Sequence, residues 1–176
     1  MILINILLVN KKDEIIGKAE KIKAHKGKGL LHRAFSVFVF YNDQLLIQKR
    51  NKNKYHSGGL WSNTCCSHPT TAKNLLQNVK KRLEEEMGFT CDINYEFKFK
   101  YEKTFSNKMT EKEIDYVFIG NCNKKPNIQP NPTEVEDWKW IKINKLRKYI
   151  KNNSSQYTYW FKKSYKKVYE IYNNKY

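Results

Sequence analysis

The stretch Thr71-Ala72-Lys73-Asn74-Leu75-Leu76-Gln77-Asn78-Val79-Lys80-Lys81-Arg82-Leu83-Glu84-Glu85-Glu86-Met87-Gly88 reads as a helix and its stop. Leu75, Val79, Leu83 and Met87 recur every four residues, an apolar stripe at helical spacing. Pro69 and Thr70 stand just before it, and Gly88 occupies the place of a C-terminal cap. The spacing predicts a helix over 71–87. It closes on Glu84, Glu85 and Glu86, where the helix dipole disfavours negative charge. Either Lys80, Lys81 and Arg82, one turn earlier, compensate by pairing, or one or two of these acids bind a divalent cation; the misfit with the dipole favours the cation.

Upstream, residues 2–9 and 15–17 are apolar runs separated by the polar turn Asn10-Lys11-Lys12-Asp13-Glu14, a hairpin pattern. Residues 35–40 are aromatic and β-branched, and Tyr41-Asn42-Asp43 turns them into 44–48, a second hairpin with both strands buried. Downstream, strands are expected at 95–101, 114–120 and 138–143, a proline-containing loop at 123–132, and a closing Lys-rich helix at 157–172. Strands, helix, strands, helix suggest a mixed α+β sandwich rather than a doubly wound sheet. With no repeat and no Pro/Gly-rich linker, residues 1–176 read as a single domain.

A 40% hydrophobic and 14% aromatic composition fits a folded globule. No apolar run approaches the ~20 residues of a transmembrane helix, so no membrane insertion is expected. The opening apolar run is too short for a signal peptide and lacks a basic start. Cys65, Cys66, Cys91 and Cys122 form no C-x-x-C pair, and reduced thiols in the cytoplasm are expected. The formal charge of +17 admits three readings: a nucleic-acid binder, an enzyme drawing in a small anion, or a Lys- and Asn-biased surface. The last ranks first, because the basic residues are spread along the chain without an arginine-rich stripe. No nucleic-acid partner is expected.

His25 and His32 flank what reads as a flexible loop around Gly27 and Gly29, and His68 lies two residues beyond Cys66. In an extended segment Cys66 and His68 project to one side, with Cys65 on the other as packing. Glu111 and Glu113, placed directly before the 114–119 run, share one strand face. Three imidazoles and two carboxylates can build an octahedral-type metal site; on spacing alone, five scattered surface polar residues is the reading that ranks first. The most specific stretch is Trp61-Ser62-Asn63-Thr64-Cys65-Cys66-Ser67-His68-Pro69. A following helix N-terminus and a metal-bound histidine would lower the Cys66 pKa, whereas a small buried hydrophobe would be inert. Lys21, Lys49, Arg50, Lys52, Lys54 and Arg82 suit a diphosphate.

Ala24-His25, then Leu31-His32-Arg33-Ala34-Phe35-Ser36, Gln48-Lys49-Arg50, the 61–69 stretch and Glu111-Lys112-Glu113 resemble type I isopentenyl-diphosphate isomerases. The similarity spans roughly residues 2–140, with a weaker echo at Tyr157-Thr158-Tyr159-Trp160-Phe161. The resemblance implies a Nudix-like α/β/α sandwich with a mixed sheet. Aligned on Gly88, the Nudix hydrolase box G-x5-E-x7-R-E-U-x-E-E-x-G-U would require Gly at Ser67, Glu at Lys73, Arg at Lys81 and Glu at Arg82. All four are absent, which argues against diphosphate hydrolysis on a retained scaffold. Ser67 in place of a common Gly, and Tyr159 in place of a common Pro, depart from the family.

The resemblance further implies that His25, His32, His68, Glu111 and Glu113 hold one divalent metal (Mn2+, Mg2+ or Zn2+). A Mg2+ near Glu86 would help Lys21, Arg50, Lys54 and Arg82 hold the substrate diphosphate. Cys66 and Glu113, with Tyr101 assisting, would add and remove protons through a tertiary carbocation faced by Trp160 or Trp61. The protein would act in isoprenoid biosynthesis as a monomer or homodimer, without a flavin. A Nudix hydrolase and a nucleic-acid-binding module are the competing readings.

Overall fold

The computed structural model describes residues 4–175, so residues 2 and 3 of the expected first strand, and both ends of the 1–176 span, lie outside it. Strand β3 (His32–Tyr41) organises the molecule. Its aromatic and β-branched residues bury both faces, as an interior strand requires. Phe35, Val37 and Val39 point to one side, Phe38 and Phe40 to the other. On one edge β3 runs parallel to β8 (Thr110–Asn121), from His32 opposite Glu113 to Phe40 opposite Asn121. On the other it pairs antiparallel with β4 (Gln44–Arg50) at its end and with β6 (Cys65–Ser67) in its middle.

The remaining strands extend this mixed sheet. The hairpin β1 (Asn5–Val9) and β2 (Ile15–Glu20) joins β3 at Leu8 opposite His32. The short β5 (Trp61–Ser62) and β9 (Val135–Lys142) pair with β4, and β7 (Ile93–Thr104) pairs with β8. Helix α2 (Leu75–Met87) covers one face with Val79, Leu83 and Met87 against Phe35, Val37 and Val39. Helices α3 (Ile143–Asn152) and α4 (Tyr159–Lys175) cover the other with Leu146, Ile150, Phe161 and Val168. This is the expected α/β/α sandwich. Each fully buried apolar side chain in these layers contributes about 1.5–3 kcal/mol.

Several boundaries differ from the sequence expectation. Helix α2 starts at Leu75 rather than at 71, because Asn74 takes the left-handed conformation (φ 53°) and breaks the preceding turn. Gly88 does cap the helix, at φ 75° with its N–H on the Glu84 carbonyl, and a Cβ there would meet the Gln129 carbonyl oxygen at 2.3 Å. Strand β8 begins before residue 114, so Glu111 and Glu113 lie within it. Helix α3 occupies a segment without an assigned element, its stripe of Ile143, Leu146 and Ile150 diluted by lysines. A short helix α1 (Lys21–His25), capped by the Glu20 carboxylate, carries His25. The loop after it is pinned rather than flexible. Gly27 exchanges hydrogen bonds with Lys108 and Thr110, and a Cβ on Gly29 (φ 62°) would meet the Thr110 carbonyl oxygen at 2.9 Å. Among the described residues no helix is long and apolar enough to cross a membrane.

Candidate active site

On the α4 side of the sheet, β3, β6, β7 and β8 line a cavity. The two-residue period of β8 aims Glu111, Glu113 and Asp115 at it, with Tyr101 entering from β7 opposite Glu113. Cys66 stands opposite Ser36 on β6, and His68 follows on the same side. Cys65 points the other way and is fully buried against α2, as the alternation requires.

His25, His32, His68 and Glu113 gather their ligand atoms within 4.8 Å of one another. The Nε2 atoms of the three histidines lie 3.7, 3.2 and 3.0 Å from Glu113 Oε1. Nδ1 of His25 faces the Lys21 carbonyl and Nδ1 of His32 the Leu30 carbonyl, both at 2.7 Å. Each Nδ1 must therefore donate to its carbonyl, which fixes the ring with Nε2 directed at the carboxylate. Burial lowers the His68 imidazole to about 3. Nε2 of His32 and Nε2 of His68 lie within hydrogen-bond distance of Glu113 Oε1, whereas His25 Nε2 and His68 Nδ1 are buried without a hydrogen-bond partner. That donor set fits a divalent cation. Glu111 stands beside this cluster rather than in it. Its Oε2 shares the Tyr101 hydroxyl with Glu113 Oε2, at 3.2 and 2.6 Å. Burial and the neighbouring Glu113 charge push the Glu111 carboxyl well up.

Four of the six cations expected for a diphosphate line the same cavity; Lys49, which pairs with Glu136 at 2.9 Å, and Lys52 do not. Lys21, Arg50, Lys54 and Arg82 all line it, with Glu86. Arg82 binds Glu85 at 2.8 Å and Glu86 at 2.6 Å, so both acids are compensated, and Glu86 also lines the cavity. Burial, then the like charges of Lys54 and Arg50, lower the Lys21 pKa. Arg50 stays charged, donates to Cys66 Sγ at 3.5 Å and stacks over the Trp160 ring at 5.2 Å.

Two expectations need correction, and four residues were not anticipated. The Cys66 thiol is not lowered: burial pushes it up to about 12, outweighing the pull of Arg50. The helix whose N-terminus was to act on it starts only at Leu75. Trp61 lies outside the cavity with Lys139 Nζ over its ring at 3.9 Å, whereas Trp160 lines it and donates to Asn63 at 3.1 Å. Glu111 lies just outside the group of His25, His32, His68 and Glu113 and is joined to Glu113 through the Tyr101 hydroxyl. Of the unanticipated residues, Asp115 continues the alternation of Glu111 and Glu113 and could have been found by it; Ser36 donates to it at 2.8 Å. Glu134, which pairs with Lys54 and Arg82, and the buried His56 carry no spacing that marks them in the sequence.

Residues 30–161 match the family model described as NUDIX domain. The chain is 48% identical over 159 residues to "Isopentenyl-diphosphate Delta-isomerase 2" of Photorhabdus laumondii, covering 90% of this chain and 88% of that protein. It is 44% identical over 156 residues to "Isopentenyl-diphosphate Delta-isomerase 1" of Aromatoleum aromaticum, covering 88% and 86%. Among solved structures, a Deinococcus radiodurans protein superposes with a TM-score of 0.67 at 15% identity, covering 84% of this chain and 89% of that one. A MutT protein from Methanosarcina mazei follows at 0.63 and 15%, covering 85% and 98%. At such identities these two structures show the fold alone.

Proposed function

Because the chain belongs to the NUDIX domain family, and within it to the isopentenyl-diphosphate Delta-isomerases, we propose how its cavity moves the double bond. The protein is an isomerase that interconverts isopentenyl and dimethylallyl diphosphate. The observation that carries the mechanism is one cavity holding a thiol, a tyrosine–carboxylate pair and four cations.

Lys21, Arg50, Lys54 and Arg82 bind the diphosphate, with charge-assisted hydrogen bonds from the two guanidinium groups. Glu86 is the carboxylate that would hold an accompanying Mg2+. The alkene then lies between β6 and β8, which flank β3. One group adds a proton to the terminal carbon, and the other removes one from the carbon next to the diphosphate-bearing carbon. Cys66 and Glu113 are these two groups. The reaction runs both ways, so each must donate in one direction and accept in the other. The Tyr101 hydroxyl, 2.6 Å from Glu113, holds that carboxylate in place. The Trp160 ring, which lines the cavity, faces the tertiary cation.

His25, His32, His68 and Glu113 would hold a divalent metal, with Glu111 as the fifth candidate; bound there, it supplies positive charge that fixes and polarises Glu113. We place the enzyme in the cytoplasm, in keeping with its four free cysteines.

Incubation with isopentenyl diphosphate and Mg2+, with detection of dimethylallyl diphosphate, tests this reading. Cys66→Ala and Glu113→Gln should fold and bind diphosphate while losing turnover by at least about 100-fold. Full activity in Cys66→Ala would overturn the mechanism.

A further inference from the structure

We infer that Cys91 and Cys122 form a reversible redox pair, a disulfide site on the face of the sheet opposite the cavity and separate from Cys66. Cys91 stands two residues before β7, and Cys122 directly follows β8. These strands run antiparallel, with Ile93 opposite Gly120 and Asn94 opposite Ile119. The same register carried two residues outward sets Cys91 opposite Cys122. Opposed residues of an antiparallel pair lie about 4.5 or 5.5 Å apart at Cα, and a disulfide spans about 4.4–6.8 Å.

The surroundings bring the two sulfurs to one place. Cys122 N–H donates to the Phe40 carbonyl at 2.9 Å, which keeps Cys122 beside β3 in the line of β8. Cys91 Sγ lies 2.9 Å from the position a Cβ on Gly120 would take. Gly120 and Cys122 are two apart along the chain and present the same face, so the Cys91 sulfur leans toward Cys122 over the space Gly120 leaves. Both side chains pack on the apolar cluster beneath α2, to which Phe118 and Ile93 also belong. Hydrogen bonding between the two thiols raises Cys91 and lowers Cys122. Both are half-buried, so a small reagent can reach them. Cys66 offers none of this: burial pushes its thiol up to about 12, and its neighbour Cys65 is fully buried on the other face.

The oxidant is a small-molecule disulfide. The Cys122 thiolate attacks one of its sulfurs, the S–S bond breaks, and one thiolate leaves and takes up the Cys122 proton. Cys91 then loses its proton and attacks the Cys122 sulfur of the mixed disulfide. The protein disulfide forms, and the second small thiolate leaves and is protonated. Two electrons pass from the two protein thiols to the reagent, which ends as two thiols. The bond closes the segment from Asp92 to Asn121, at the end of the β7–β8 hairpin remote from Tyr101 and Glu113. Oxidation should therefore stabilise the hairpin that carries these residues without stopping turnover.

The test incubates the reduced full-length protein with oxidised glutathione, blocks the remaining thiols after denaturation and maps them by peptide mass spectrometry. The wild type should lose two hydrogen atoms, with a disulfide between Cys91 and Cys122 and with Cys65 and Cys66 blocked. Dithiothreitol should restore both thiols. Cys91→Ser should instead keep glutathione on Cys122, where no second thiol resolves it. The oxidised wild type should melt about 3–10 °C above the reduced protein, with kcat within about twofold, and Cys91→Ser and Cys122→Ser should show no such gap. A wild type that keeps four free thiols, or ends with glutathione on Cys122 and no protein disulfide, would overturn the inference. So would a disulfide or adduct at Cys66, or a loss of kcat on oxidation that persists in Cys91→Ser and Cys122→Ser.

Discussion

Tyr101 shows how much a single hydroxyl holds in this site. Its ring stacks on Phe99 at 5.6 Å, and its oxygen reaches both acids of the β8 pair. Tyr101→Phe should therefore fold normally, keep KM and lower kcat about 10- to 100-fold, measured by steady-state isomerase kinetics. An unchanged kcat would show that Glu113 is held without it. The residues that were legible in the sequence are those whose spacing matches their element. Glu111 and Glu113 two apart on a strand, and Cys66 and His68 two apart in an extended segment, needed only a period of two. Asp115 fell under the same rule and was missed because it sits inside an apolar run. His56 and Glu134 reach the cavity through irregular loops, where no period marks a side chain's direction.

At the scale of elements, the β1–β2 hairpin is fastened to the sheet through its turn. Asp13, at φ 66°, accepts from Arg33 at 2.7 Å and Lys98 at 2.6 Å, and from the Tyr116 hydroxyl. Burial would raise this carboxyl, but hydrogen bonds from Lys98, Tyr116 and Arg33 outweigh it and lower the pKa from the usual 3.8. A depressed folded pKa gives stability that is present above the unfolded value and lost as pH falls through the folded one. Asn tolerates the same left-handed backbone, so Asp13→Asn removes mainly the charge. It should cost about 1–3 kcal/mol at pH 7. The gap in thermal midpoint from the wild type should hold at neutral pH and close below the ordinary Asp value. A gap unchanged in acid would deny Asp13 that role. Gly29→Ala should be similarly destabilising, since a Cβ would strike the Thr110 backbone and displace the segment between His25 and His32. A metal-stripped Gly29→Ala protein with wild-type Mn2+ affinity would show that the segment does not set the histidine spacing.

For the molecule as a whole, the sandwich was legible because its core strands and α2 carry strong periodicity. Helix α3 was not, because its three apolar contacts are interleaved with three lysines and Arg147. Their abundance also sets the long-range field. A chain of formal charge +17 should attract a diphosphate before contact, so raising NaCl from about 0.05 to 0.5 M should lower kcat/KM several-fold while leaving kcat nearly unchanged. A kcat/KM insensitive to salt would reduce the charge to compositional bias. The central claim is that two different groups, Cys66 and Glu113, move the two protons across the cavity. Its most direct measurement is isomerisation of isopentenyl diphosphate in D2O, followed by NMR of the dimethylallyl diphosphate formed at early turnover. Two groups that exchange with solvent place one deuterium in a methyl group of the product. Product formed at full rate with only protium in its methyl groups would mean that one group carries a single proton from carbon to carbon, and would contradict the account.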